Sequence, residues 1–351
     1  MVRQEQKLRV GITCGDLNGI GYEVIIKALS DNRMLQMLTP VIYGSAATLS
    51  YHRKALKAND FQFNIATSAK DLNRKKVNVL NVWEGDVKID LGSSTVESGK
   101  AAMQSIEAAA RDLGAGLIDV MVTAPINKKA IQDAGFKFPG HTEFLQSYAQ
   151  AKDVLMVMSS DNLKVAVATG HVPLSKVTEE LSDGKVVEKL KLLHESLERD
   201  FLVANPRIAV LGVNPHAGEN GSIGEDEQKI LYPALKQARD AGLFVHGPFP
   251  ADGFFGSGKV SKYDGVLAMY HDQGLAPFKA LSFGGGVNVT AGLSIVRTSP
   301  DHGTAFEIAG KNEASGESMR KAIFEACEIY NNRMKFKEMT ANPLEIKSGK
   351  K

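Results

Sequence analysis

Cysteine is scarce in this sequence, with only Cys14 and Cys327 among 351 residues. Two thiols cannot build the disulfide framework of small secreted domains, and they are typical of proteins from a reducing compartment. The sequence also lacks an apolar run of the roughly 20 residues that a membrane-spanning helix needs, and it begins with polar residues rather than a secretory leader. We therefore expect a cytoplasmic protein without a membrane partner.

An excess of charge of one sign is also missing, because 42 Lys and Arg residues oppose 40 Asp and Glu residues. A net charge of +2 with scattered cations gives no footprint for nucleic acid, so we expect no nucleic-acid partner. No G-x-G-x-x-G follows an early apolar run, which argues against an ordinary Rossmann cofactor site. What is present is a globular composition, 43% hydrophobic, at a length typical of about two domains.

Short apolar runs alternate with helical patterns along most of the chain. Runs that are apolar on both faces, separated by amphipathic helices, predict an α/β fold with mostly parallel sheets. The basic segment 345–351 is expected to be a frayed tail. The predicted strands are residues 8–13, 40–44, 77–83, 118–124, 154–159, 164–169, 207–213, 265–270 and 293–299, and the predicted helices are residues 22–29, 98–113, 185–201, 227–242 and 317–334.

Polar residues stand where the predicted strands end, which is where ligands gather in open α/β sheets. Three histidines, His171, His216 and His271, each follow an apolar strand, with Gly or Pro close by. Neutral imidazoles from three strand ends can hold one divalent cation and leave positions open for a substrate. The alternative, which for any single histidine is the more frequent, is a hydrogen-bonded loop residue.

Two aspartates are candidates for the catalytic base. Asp272 adjoins His271, so it can accept a proton or instead hold the imidazole in place. Asp252 can also accept a proton, or it can be the turn former of the segment PADG. Three cations follow predicted strands and either hold phosphate or carboxylate groups or are simply solvated: these are Lys128, Lys279 and Arg297.

The ordered series of motifs resembles the 4-hydroxythreonine-4-phosphate dehydrogenase family of pyridoxal phosphate biosynthesis. The resemblance extends over nearly the whole chain, through GDLNGIGYE, VTAPINK, PGHTEFL, TGHVPLSKV, NPHAGENG, GPFPADGFF, YHDQGLAPFK and VNVTAGLSIVRTSPDHGTAFEIAGK. It implies two αβα domains similar to isocitrate and isopropylmalate dehydrogenases, in a homodimer with the active site at the subunit interface. On this basis we expect a cofactor-side domain of residues 1–130 plus 286–351, and a second domain of residues 131–285 that binds substrate and metal.

The resemblance also implies an activity, the oxidation of 4-phosphohydroxy-L-threonine at C3 with NAD or NADP, followed by decarboxylation. It implies one divalent metal per active site, Zn, Co or Mg, held by His171, His216 and His271, of which one belongs to the partner subunit. It assigns catalysis to Asp252 and Asp272. The other implied contacts are with substrate, at His141, Thr142, Lys279, Asn288 and Arg297, and with the cofactor, at His302, Gly303, Thr304 and Ala305.

The first motif departs from the pattern GDPxGIGPE that is usual in the family, because Leu17 and Tyr22 replace both prolines. This leaves open a related dehydrogenase that acts on D-threonate or D-erythronate 4-phosphate. A phosphate acyltransferase-like protein is a more remote alternative, because it does not need three strand-end histidines. A non-catalytic phosphometabolite-binding protein is equally remote, because none of the matched histidines, aspartates or lysines is lost.

Overall fold

The apolar runs form one sheet of twelve strands in this computed structural model, which describes residues 7–342. The predicted tail at 345–351 lies outside the described residues. All nine predicted strands are present, and the predicted α/β class is confirmed. The strands are β1 (Leu8–Thr13), β2 (Leu38–Gly44), β3 (Phe63–Ala66), β4 (Val77–Asn81), β5 (Val120–Thr123), β6 (Leu155–Ser160), β7 (Leu163–Val167), β8 (Arg207–Leu211), β9 (Phe244–Phe249), β10 (Gly265–Ala268), β11 (Val287–Ala291) and β12 (Arg297–Pro300).

Helices pack against this sheet within the same residues. All five predicted helices are present, although the one predicted at 227–242 begins as a π-helical turn, Glu227–Leu231. Four helices begin at a residue whose side-chain oxygen caps a backbone N–H: Ser45, Thr95, Asn127 and Ser182. The helices are α1 (Gly21–Leu29), α2 (Met34–Met37), α3 (Ala46–Ala55), α4 (Val96–Gly114), α5 (Lys128–Asp133), α6 (His141–Tyr148), α7 (Val177–Glu180), α8 (Asp183–Arg199), α9 (Tyr232–Asp240), α10 (Ala251–Gly256), α11 (His271–Ser282) and α12 (Glu317–Thr340).

The strand order β3-β4-β2-β1-β5-β12-β11-β6-β7-β10-β8-β9 joins two parallel blocks. The block from β3 to β12 runs in one direction, and the block from β7 to β9 runs in the opposite direction. Strands β11 and β6 lie between the blocks and take part in all three antiparallel pairings of the described sheet. The sheet is therefore mostly parallel, as predicted, and its two blocks meet at β11 and β6.

The two blocks correspond in sequence to the two predicted domains. Strands β1–β5 and β12 fall within residues 1–130 and 286–351, and strands β7–β10 fall within residues 131–285. The division into domains nevertheless stays a prediction, because one sheet continues through both blocks. None of the helices within residues 7–342 combines the length and the apolar character that a bilayer-crossing helix requires.

Candidate active site

A cavity of about 340 Å³ lies over the centre of the sheet, where the two blocks meet. Its wall includes Met156 of β6, Asn288 of β11 and Arg297 of β12, and residues that follow β5, β7 and β10 complete it. Nine of the fourteen predicted site residues line this one cavity: His141, Thr142, His171, His271, Lys279, Asn288, Arg297, His302 and Gly303.

Arg297 contributes a buried cation to the cavity. The residue is only 4% exposed, and its guanidinium donates to the hydroxyl oxygens of Thr123, at 3.0 and 2.6 Å, and of Thr290, at 3.0 Å. Within residues 7–342 it makes no ion pair with a carboxylate, and burial lowers its pKa to about 10. Because burying a charge is costly unless it is paired, a guanidinium held only by hydroxyls is expected where a ligand supplies an anion.

Three residues of the cavity each bury a polar atom that has no hydrogen-bond partner among residues 7–342: His141 Nε2, Asn288 Oδ1 and His302 Nε2. A buried polar atom without a partner costs free energy, so three around one cavity indicate that a ligand supplies the partners. Burial lowers the pKa of His141 well below its usual range, and the charges of Arg297 and Lys128 lower it further. The His141 ring is therefore neutral at pH 7.

His171 and His271 lie beside each other in the cavity, with their ring centroids 5.6 Å apart. Nδ1 of His271 lies 2.6 Å from Oδ1 of Asp272, so a neutral His271 carries its proton on Nδ1 and keeps a free lone pair on Nε2. Burial lowers the pKa of His171, and the charges of Lys128 and His271 lower it further. Two imidazoles placed in this way fit a divalent metal, and nitrogen ligands favour Zn or Co over Mg.

Asp272 lies next to this pair but does not line the cavity. Its side chain is 86% exposed, and its contact is with His271. The alternative in which Asp272 orients the imidazole therefore has a geometric basis. The residue lies in the first turn of α11, a helix that is not predicted from the sequence.

His216 lies outside the cavity, in the loop Pro215–Gly221. Five consecutive residues of this loop, beginning with His216, have φ between 40° and 77°, a left-handed conformation that costs energy for residues other than glycine. The buried Glu227 holds the loop, since its Oε1 accepts hydrogen bonds from the N–H groups of Val213 and Asn214, both at 2.8 Å. Strain of this kind, held by a buried carboxylate, is frequent at functional sites.

Asp252 lies on α10, the short helix that packs against this loop, and it is exposed. The structure thus brings Asp252 and His216 to one region, and His171 and His271 to another. Within residues 7–342 of a single chain, no three His, Cys, Asp or Glu side chains form a metal site. One chain supplies two of the three predicted ligands to the cavity.

Two residues of the predicted cofactor segment, Thr304 and Ala305, lie beside the cavity rather than in it. The carbonyl oxygen of Thr304 accepts a hydrogen bond from the N–H of Ile20 at 3.0 Å. A Cβ at Gly19 would lie 2.8 Å from the same oxygen, so this approach requires glycine. Ala305 has a left-handed φ of 44°. The first motif of the chain therefore supports the predicted cofactor segment from behind.

Leu17 and Tyr22, which replace the two prolines of the usual first motif, are both fully buried and lie outside the cavity. The Tyr22 ring stacks on His52, with centroids 4.9 Å apart, and its hydroxyl oxygen accepts a hydrogen bond from the N–H of Ser45 at 3.2 Å. The departure from the family pattern is therefore a change in the core and does not alter the cavity wall.

Several residues of the cavity have no role in the sequence analysis. Lys128 stands out there only as a cation after a strand, and Glu143 has no assignment although it lies beside His141 and Thr142 in sequence. Their positions could have indicated a role in the site, because Lys128 and Glu143 lie in the first turns of α5 and α6, which both begin at the cavity. The other unassigned lining residues include Thr123, Met156, Met158, Ser299 and Asp301.

The fold and the cavity are those of an α/β enzyme that binds a small anion. The family model of the pyridoxal phosphate biosynthetic protein PdxA matches residues 36–326. The chain belongs to this family, as its motifs predict, and it is an oxidoreductase.

Relatives cover the chain almost completely. A 4-hydroxythreonine-4-phosphate dehydrogenase of Bacteroides thetaiotaomicron is 47% identical over 97% of this chain and 94% of its own. A D-threonate 4-phosphate dehydrogenase of Salmonella typhimurium is 40% identical over 91% of this chain and 98% of its own. Among solved structures, a 4-hydroxythreonine-4-phosphate dehydrogenase of Klebsiella pneumoniae has a TM-score of 0.79 at 37% identity and covers 93% of this chain and 99% of its own.

Proposed function

We propose that this protein oxidises 4-phosphohydroxy-L-threonine at C3 with NAD or NADP and a divalent metal, as a homodimer in the cytoplasm. The product, 2-amino-3-oxo-4-(phosphooxy)butanoate, loses carbon dioxide to give 3-amino-2-oxopropyl phosphate for pyridoxine 5'-phosphate biosynthesis. The observation that carries the proposal is the buried guanidinium of Arg297, which makes no ion pair within residues 7–342 and has Glu143 as its acidic neighbour in the cavity. A phosphorylated, acidic substrate supplies the missing negative charge.

The phosphate end of the substrate binds at Arg297, which offers donors in a planar fork. His141 and Asn288 line the same cavity, and His141 Nε2 and Asn288 Oδ1 have no hydrogen-bond partner within residues 7–342. Lys279 adds a second cation on the same side, where its Nζ donates to the carbonyl oxygen of Asp301 at 3.1 Å. Fixing one end of a small flexible substrate in this way orients C3 for reaction.

The C3 hydroxyl end of the substrate binds at His171 and His271, which hold the metal together with His216 of the partner subunit. When bound, the metal would supply Lewis acidity at the hydroxyl oxygen, and the nicotinamide would supply a hydride acceptor. Asp272 fixes the orientation of His271. Asp252 lies near His216 on the same chain, so it enters the active site from the partner subunit together with that histidine and takes the hydroxyl proton.

The cofactor binds along the segment that begins at His302. Burial lowers the pKa of this histidine, and its Nδ1 lies 3.1 Å from a backbone carbonyl oxygen. A neutral ring with its proton on Nδ1 presents Nε2 to the cavity as an acceptor, which suits a hydroxyl donor of the cofactor or the substrate. The support that Ile20 gives to Thr304 keeps this segment in place.

The assay that tests the proposal follows NADH or NADPH formation with 4-phosphohydroxy-L-threonine, with and without a chelator. We expect turnover that the chelator abolishes and that added Zn or Co restores. D-threonate and D-erythronate 4-phosphates are assayed in parallel, because relatives that are 39% and 40% identical carry the name of a D-threonate 4-phosphate dehydrogenase. Turnover of only these two compounds would favour the alternative substrate. Turnover that persists in the chelator would refute the role of the metal.

The shared active site has a separate test in subunit complementation. His171→Ala and His216→Ala are each expected to abolish turnover in a folded homodimer. Heterodimers of the two variants contain one site with all three histidines, so a randomly assorted mixture regains about a quarter of the wild-type activity. A mixture as inactive as its parents would refute the placement of His216 in the site of the other subunit.

A further inference from the structure

Lys128 is a cation at the cavity whose position is fixed by the start of a helix. It is the first residue of α5, and the side chain of Asn127 caps that helix by accepting a hydrogen bond from the N–H of Ala130 at 2.9 Å. The residue lines the cavity with His141, His171 and Glu143. In the sequence, Lys128 stands out as a cation after a strand, and it has no role in the proposed function.

The neighbouring lysine shows how differently two adjacent cations are used. Lys129 pairs with Asp133 at 2.5 Å, one helical turn away, and it does not line the cavity. Lys128, by contrast, makes no side-chain hydrogen bond and no ion pair within residues 7–342. Its ammonium is therefore available to a ligand in the cavity.

Lys128 acts on residues in both parts of the cavity. Its charge lowers the pKa of His141, which adjoins Arg297, and also that of His171, which adjoins His271. A Cβ added at Gly140 would lie 3.9 Å from Cε of Lys128 and 3.4 Å from Oε2 of Glu143. The lysine thus lies close to both the proposed phosphate anchors and the histidine pair.

We propose that Lys128 is a catalytic residue whose ammonium contacts the oxygen on C3 of the substrate and stabilises the negative charge that develops there. This inference rests on the proposed function, because it takes the phosphate to lie at Arg297 and the C3 hydroxyl to lie at the histidine pair. A four-carbon substrate held at both ends in this way runs alongside Lys128. A fixed cation at that place acts as an electrostatic stabiliser of an oxyanion.

The charge on this oxygen develops in two steps. In the first, the C3–H bond breaks with transfer of hydride to the oxidised nicotinamide, the hydroxyl proton goes to the carboxylate base, and a C3 ketone forms. In the second, the C1–C2 bond breaks, carbon dioxide leaves, and the bonding pair forms the C2–C3 double bond of an enolate with its charge on the C3 oxygen. Lys128 donates a hydrogen bond to that oxygen until a proton from water adds to C2. No oxidant other than the nicotinamide is needed.

The test compares Lys128→Met with Lys129→Met, a matched control that removes the adjacent lysine. We expect the first variant to lose about 10²–10³-fold in kcat, while its substrate Kd by calorimetry stays within about tenfold of the wild type and its metal content is unchanged. Lys129→Met should behave as wild type. Lys128→Arg should recover part of kcat, and added ethylammonium should partly rescue Lys128→Ala, which a merely structural role would not allow.

The outcomes separate this inference from the function on which it rests. A wild-type kcat in Lys128→Met, or a loss confined to Kd, would overturn the C3 contact, and the second result would make Lys128 an anchor for the phosphate or carboxylate. If the wild-type protein turns over none of the three phosphorylated substrates, the proposed function fails and the inference fails with it. If the wild type and Lys128→Met are equally active, the role of Lys128 is refuted and the proposed function is not affected.

Discussion

His141 and His52 are both buried histidines, but one lies in the cavity and the other lies in the hydrophobic core. In each, Nε2 is buried without a hydrogen-bond partner among residues 7–342, and burial lowers the pKa. His52 stacks on Tyr22 in the core, whereas His141 lies in the cavity, where the charges of Arg297 and Lys128 act on it. The unpartnered nitrogen by itself does not distinguish a binding site from a packed interior.

The charges around the two rings make the distinction. No cation contributes to the lowered pKa of His52, for which burial is the main cause. Two cations contribute at His141, one of them the buried Arg297. Positive charge concentrated around the neutral ring of His141 is unfavourable when no ligand is bound, so the cavity is suited to bind an anion. The packing around His52 instead contributes to the stability of the fold. Substitutions should therefore separate activity from stability in opposite directions in the two regions.

Arg297→Met should have the largest effect on activity. Losing the charged partner of a bound phosphate corresponds to roughly 3–5 kcal/mol, which lowers kcat/KM by about 10³-fold. The melting temperature should hold or rise, because the variant no longer buries an uncompensated charge.

Arg333→Met is the matched control for the buried arginine. Arg333 pairs with the buried Asp200 at 2.7 Å, so its loss should cost roughly 1–3 kcal/mol of stability and leave kcat/KM unchanged. Steady-state kinetics and thermal unfolding of both variants check the contrast. An Arg297→Met protein that is destabilised while it keeps its activity would place Arg297 among the structural arginines.

Tyr22→Ala should have the largest effect on stability. It removes a fully buried ring that stacks on His52 and leaves the N–H of Ser45 without its acceptor. Cavity formation at a large aromatic residue costs about 3–5 kcal/mol. Tyr51→Ala is the control, since Tyr51 is 44% exposed and should change stability by less than about 1 kcal/mol. Urea unfolding measures both, and the KM of correctly folded Tyr22→Ala should match the wild type.

Much of the fold could be predicted from the sequence, because long buried strands and amphipathic helices leave strong periodic patterns. Helix α11 could not, because Gly274 and Pro277 interrupt its helical pattern, although it carries His271 and Asp272. Strand β11 was missed because the polar Asn288 and Thr290 break its apolar run. These two elements line the cavity, where functional residues replace those that make secondary structure easy to predict. Strand β3 and helix α3, which lie away from the cavity, were also not predicted.

The grouping of site residues could be predicted only in part. Strand ends give His171 and His271 as neighbours, but the sequence cannot show that β11 pairs antiparallel to β6 and β12 and so brings Asn288 and Arg297 to the same cavity. Asn288 came from the family resemblance alone, whereas Arg297 was also a candidate anion-binding cation after a predicted strand. Lys128 belongs to the motif VTAPINK, but the resemblance gave it no role. Its availability depends on the absence of side-chain partners within residues 7–342, which only three-dimensional coordinates reveal.

Acidification should lower the stability of the protein through His52 without any change of side chain. The folded protein lowers the pKa of His52 from 6.5 to about 4, mainly by burial, so the fold favours the neutral ring. The corresponding stability is complete above about pH 6.5 and is lost as the pH falls towards about 4, up to about 3 kcal/mol. In His52→Phe, which keeps a ring against Tyr22, this part of the acid sensitivity should disappear. Urea unfolding of both proteins at about pH 7 and about pH 4.5 measures the difference, and parallel pH profiles would contradict it.

Asp272→Ala should have the smallest effect, confined to metal binding. The carboxylate is 86% exposed and contacts Nδ1 of His271, so its loss should leave the melting temperature of the metal-free protein unchanged. Partners of ligating histidines typically contribute 10–100-fold to metal affinity, because they fix the ring and its tautomer. Competition with a chromogenic chelator measures the Zn affinity, and Asp272→Asn should lie between the two proteins because an amide oxygen still accepts the Nδ1–H. Unchanged affinity in Asp272→Ala would mean that the position of His271 is fixed by helix α11 alone. The histidine pair would then resemble His52, whose place is set by packing rather than by charge.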